Sequence, residues 1–79
     1  MATPINQYDC FPLAKDLNSA IVKGMQGVIL EIWDDSNFLV EFVRSDGTNH
    51  EYNGEICFDI DRSHIGEVTY RHKTSDPSG

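Results

Sequence analysis

Residues 23–47 read KGMQGVILEIWDDSNFLVEFVRSDG, and this run decides the fold class. Gly24 and Gly27 bracket Met25-Gln26, a spacing that supplies positive φ angles or a close backbone approach in a turn leading into a strand. From Val28 to Trp33 every residue but Glu31 is β-branched, aliphatic or aromatic, as a pleated and mostly buried strand requires. Asp34-Asp35-Ser36-Asn37 is a polar connection of hairpin length. Phe38 to Val43 returns antiparallel, and Asp46-Gly47 marks the next turn. The unit is a β-hairpin framed by turns.

Outward from the hairpin, the flanks read as more short strands. Cys10-Phe11-Pro12-Leu13 is the first candidate strand, expected to sit at an edge or be short, because Pro12 has no N–H to donate to a ladder. Residues 15–22 form an irregular segment that Leu17, Ile21 and Val22 anchor to the core. After Asp46-Gly47, Thr48 to Tyr52 is expected to be the third strand of a meander. Asn53-Gly54 marks a turn or bulge, and apolar residues 56, 58 and 60 alternate along a further strand, residues 56–60. Residues 62–68 are expected to form a short 3₁₀ turn and a last strand that closes against the first. This reading gives a single domain over residues 8–68, a loose arm at 1–7 and a mobile tail at 69–79.

Size and charge narrow the functional classes. A core drawn from 79 residues seldom supplies more than about 3–5 kcal/mol, so small domains often recruit disulfides, a metal or a partner. The two cysteines, Cys10 and Cys57, lie in no metal-ligand spacing, which leaves self-association as the open route; no cofactor and no metal are expected. Thirteen acidic against six basic residues give a net charge of −7, which repels phosphate backbones, and the bases are too scattered to make a stripe. No nucleic acid is expected as a partner; a basic protein or peptide suits the charge. Neither a signal-peptide pattern nor a membrane-spanning apolar run occurs, so the expectation is a cytoplasmic protein with reduced thiols and no membrane association.

The run Lys23 to Trp33, followed by Phe38-Leu39-Val40-Glu41-Phe42 and Asp46-Gly47-Thr48, resembles the small bacterial family called domain of unknown function 4926. The resemblance covers most of residues 9–68. It implies an all-β fold, a small SH3-like, partly open barrel of about five strands, and it carries over no site residues. The chain departs from the family pattern after Thr48, where His50-Glu51-Tyr52-Asn53-Gly54 and Cys57-Phe58-Asp59-Ile60-Asp61 are more polar. It also looks like proteins carried on mobile gene cassettes. One SH3-like cassette product is a trimethoprim-resistant dihydrofolate reductase with its active site in a tetramer pore, but that enzyme's val-gln-ile-tyr strand is absent here.

Strand alternation supplies the functional clue. Val28, Leu30 and Ile32 share one face and Ile29, Glu31 and Trp33 the other; Phe38, Val40 and Phe42 oppose Leu39, Glu41 and Val43. The face bearing Ile29, Trp33, Leu39 and Val43 is more apolar than a solvated sheet surface requires. Either a coiled barrel feeds both faces into one core, or these four residues form a protein-binding or self-association surface anchored by Trp33.

Other constellations read as structural. Asp59 and Asp61 project the same way on a strand, and Asp34-Asp35 is a second acidic pair, but neither has the spacing of a calcium loop. His50, His64 and His72 lack a ligand pattern. Cys57 lies among Ile56 and Phe58, as a buried structural cysteine would, and a Cys57–His64 nucleophilic pair is disfavoured on that ground. Gly24-x-x-Gly27 precedes a strand and not a helix, so it is no phosphate loop. The expected function is a non-enzymatic protein-interaction module, self-associating or bound to a protein partner. The alternatives are a small enzyme with an active site at an oligomer interface and an acidic antitoxin-like protein masking a basic partner.

Overall fold

The computed structural model describes residues 5–68. It is all-β: β1 (Cys10–Pro12), β2 (Gln26–Ile32), β3 (Asn37–Val43) and β4 (Cys57–Asp61), then a 3₁₀ turn (Arg62–His64). The strands form one antiparallel sheet in the order β1-β2-β3-β4. Pro12 ends β1, as its missing N–H predicts. Beyond the turn, Leu13 and Ile65 form an isolated antiparallel bridge. There Ala14 N–H donates to the His64 carbonyl at 2.7 Å and Gly66 N–H to the Pro12 carbonyl at 2.9 Å.

The cross-strand register sorts the side chains into two faces. Gly27 pairs with Phe11 and Phe42, Ile29 with Val40, and Phe38 with Ile60. These rows face the core, which comprises Phe11, Leu13, Ile21, Ile29, Phe38, Val40, Phe42 and Ile60. Phe11 and Phe42 meet edge to face with ring centroids 6.2 Å apart. The two glycines of the opening run divide the expected roles. Gly24 takes φ +96°, while Gly27 leaves room for Phe11, whose Cε1 would lie 2.7 Å from any Cβ placed there. Ile21 reaches the core from the segment between β1 and β2, which turns on Asn18: its Oδ1 accepts from the backbone N–H groups of Ala20 at 2.9 Å and Ile21 at 2.8 Å.

Three sequence expectations are corrected here, besides the last strand expected within 62–68, which among the described residues is reduced to the Leu13–Ile65 bridge and leaves four strands where about five are expected. The first concerns β2. The register slips between Ile29 and Glu31, leaving Leu30 as the extra residue of a bulge. Before the bulge Gly27 and Ile29 face the core; after it Ile32 pairs with Phe38, and Glu31 and Trp33 fall on the outer face. Strict alternation over six residues therefore misplaces Ile29, which is fully buried. The second concerns the expected strand at 48–52, which is reduced to the bridges Val43↔Asn49 and Tyr52↔Glu55. Thr48-Asn49-His50-Glu51 offers no apolar side chain to pack on either face, and the chain makes two local turns instead. The third is Cys57, which opens β4 on its outer face and is exposed, not buried.

Residues 5–7 of the expected arm are tied down. Ile5 packs against the core, and Gln7 Nε2 donates to the Leu30 carbonyl at 2.9 Å. Residues 1–4, the expected tail at 69–79 and His72 lie outside the described residues.

Candidate functional site

The outer face carries Cys10, Val28, Glu41 and Cys57 in one row and Pro12, Gln26 and Val43 in another. A third row holds Glu31, Leu39 and Asp59, and Trp33 follows Glu31 at the end of β2. Of the four residues singled out by alternation, Trp33, Leu39 and Val43 are on this face and Ile29 is not. Leu39 and Val43 are half-buried and lie toward opposite ends of β3. The structure therefore groups Trp33 with Leu39 and leaves Val43 beside Gln26.

Trp33 is 56% exposed and its neighbour Ile32 is 41% exposed. The indole is nonetheless oriented. Its Nε1–H donates to Asp59 Oδ1 at 2.8 Å, and its backbone N–H donates to the Asn37 carbonyl at 2.9 Å. The first bond runs from the end of β2 to β4, past the width of β3, where Leu39 separates Glu31 from Asp59. Next to it, Arg62 donates from Nε and Nη2 to the Asp35 carbonyl at 3.0 and 2.7 Å. Its guanidinium carbon stands 5.5 Å from the centroid of the Phe38 ring. These contacts fasten the 34–37 turn, the 3₁₀ turn and Trp33 into one end of the sheet.

Beyond Asp59 the surface dips into a groove of about 500 Å³ along β4. Leu17, Asn18, Tyr52, Asn53 and Glu55 line it together with Cys57, Phe58 and Asp59 of β4. The only charged side chains in this lining are the carboxylates of Glu55 and Asp59.

The acidic residues singled out by spacing do separate work. Asp61 caps the 3₁₀ turn: Oδ1 accepts from Ser63 N–H at 2.9 Å, from the Ser63 hydroxyl and from His64 Nδ1 at 3.1 Å. A nucleophilic triad needs the imidazole between hydroxyl and carboxylate; here the carboxylate takes the middle position, so the cluster is a cap. The Ser63 hydroxyl bond is the main cause holding the Asp61 carboxyl below its ordinary range, with further help from His64 and the Ser63 backbone. Asp34 is lowered first by the backbone bond from Ser36 and then by the Asn37 side chain. Asp46 is lowered first by the Thr48 hydroxyl and then by its backbone N–H. All three belong to an Asp-x-Ser or Asp-x-Thr triplet, a repeated signal visible in the chain that spacing between acids overlooks. Asp9, also overlooked, is fully buried, and its Oδ2 accepts from Asn6 N–H at 2.9 Å.

Cys57 and His64 flank opposite ends of β4 and are not brought together. His50 is half-buried, and its backbone N–H donates to the Phe42 carbonyl at 2.8 Å. Among the described residues no three His, Cys, Asp or Glu side chains converge in an arrangement able to hold a metal ion, and no helix is long and apolar enough to cross a membrane. Comparison of the chain with family models, with curated proteins and with solved structures gives no match.

Proposed function

We propose that this domain is a small SH3-like barrel, akin to domain of unknown function 4926, that works as a non-enzymatic protein-interaction module and self-associates through the Trp33 end of its sheet. The barrel reading draws support from the Leu13–Ile65 bridge, which returns the chain to β1 after the 3₁₀ turn. The interaction reading is carried by one observation: Trp33 is 56% exposed yet held in one orientation by Asp59. A large aromatic that is both exposed and pre-oriented loses little conformational entropy on association, which is what an interface anchor needs. Leu39, half-buried on the same face, extends the apolar surface beside it.

Sedimentation equilibrium from dilute to near-millimolar concentration tests the reading. The wild-type chain is expected to show a concentration-dependent rise in mass that Trp33→Ala abolishes, with the circular dichroism spectrum of the fold retained. A monomer at every concentration, or a Trp33→Ala variant that associates as the wild type does, overturns self-association through this surface.

A further inference from the structure

β4 is the last strand of the sheet, and among the described residues its outer edge makes no backbone hydrogen bond to another segment. Such an edge is a template for another strand. Its outward row is Cys57, Asp59 and Asp61 and its inward row Phe58 and Ile60, so a strand laid alongside meets alternating acidic and apolar neighbours. The groove supplies space beside this edge, with Leu17 and half-buried Phe58 as its apolar part and Glu55 and Asp59 as its charge. Arg62, the cation that follows β4, is committed to the Asp35 carbonyl. A second copy is the wrong occupant, because pairing β4 with itself brings Asp59 and Asp61 close to their own copies in a chain already at −7.

We infer that the outer edge of β4 takes an extended cationic peptide segment by strand addition, its apolar residues beside Phe58 and Leu17 and its lysines or arginines beside Asp59 and Glu55. The inference rests on the interaction reading above and names the partner's chemistry. Backbone hydrogen bonds would provide affinity, and the charge row would set register and partner choice.

The probe is a fluorescein-labelled peptide of alternating valine and lysine, titrated by anisotropy into the full chain. Saturable binding that weakens with added salt is expected. Methylating the peptide's backbone nitrogens along one edge keeps its charge but removes its ladder donors, and is expected to abolish saturation. Glu55→Gln combined with Asp59→Asn keeps the acceptor for Trp33 and is expected to weaken binding about fivefold at low salt. Equal binding of the methylated peptide would reveal diffuse charge attraction and overturn strand addition, as would no saturable binding or no effect of the double variant. A symmetric Cys57–Cys57 cross-link between copies would overturn it in favour of self-pairing through β4. If the peptide fails while Trp33-dependent self-association persists, strand addition alone is lost; if both fail, the interaction reading falls with it.

Discussion

Ile29 and Trp33 lie four residues apart on one hairpin and have opposite fates, which makes them the sharpest pair at the scale of single residues. Ile29 is fully buried against Val40 of β3, while Trp33 is mostly in water. Ile29→Val is therefore expected to cost about 1 kcal/mol through one lost methylene, whereas Trp33→Ala is expected to leave the urea midpoint close to wild type. Urea unfolding followed by circular dichroism compares the two on one scale. Gly27 is a harsher case. A Cβ there meets the ring of Phe11, which is itself fully buried and packed on Phe42. Gly27→Ala is expected to destabilise by about 1–3 kcal/mol through overpacking, read from the same transition.

At the scale of elements, the turns carry the polar economy of the fold. Asp34 holds the β2–β3 connection through Ser36 and Asn37, Asp46 holds the turn after β3 through Thr48, and Asp61 caps the 3₁₀ turn. Each carboxyl is lowered by these bonds. A folded-state pKa below the unfolded value gives stability that is present at neutral pH and lost as pH falls through about 4 and lower. Mild acidification first relieves repulsion in a chain of net charge −7; protonation of the three caps then reverses the gain. Thermal unfolding between pH 7 and pH 2.5 is expected to show this fall, and the triple variant Asp34→Asn, Asp46→Asn, Asp61→Asn to show a shallower one. The Asn53-Gly54 turn has positive φ at both residues, 54° and 81°, the geometry of a type I′ hairpin turn joining Tyr52 to Glu55. The chain alone reads Asn53-Gly54 as a turn or a bulge; the positive φ at both residues decides for the turn.

At the scale of the whole molecule, the sheet's two edges differ. The β1 side is met by Ile65 and Gly66, while the β4 side borders the groove. Gly66 lies so close to β1 that a Cβ on it would stand 2.7 Å from the Pro12 carbonyl oxygen. Gly66→Val is expected to detach this contact, with faster hydrogen exchange at the Ala14 and Gly66 amides and a loss of about 1–3 kcal/mol. Charge acts on the molecule as a unit as well. Self-association through an apolar patch on a −7 chain is expected to strengthen with salt, because screening removes repulsion between copies, whereas cationic peptide binding weakens. Opposite salt responses thus separate the two contacts in one set of sedimentation and anisotropy measurements.

Local chemistry was enough to read the all-β class, the central hairpin, the β3 core triplet Phe38, Val40 and Phe42, an edge or short strand at Pro12 and the 3₁₀ turn after β4, because each follows from side-chain type at short range. Strand alternation put Trp33 and Leu39 on one face with Ile29 and Val43, and left open whether that face is core or interface. What only the tertiary structure decided is which way β2 faces at each point: the bulge at Leu30 shifts alternation by one residue, and the pull of Phe11, Val40 and Phe42 on a shared core brings Ile29 inward. The Trp33–Asp59 bond is likewise invisible in the chain, since it joins residues 26 apart through a strand order that the linear pattern does not state. Periodicity names the two faces of a strand; cross-strand packing chooses between them.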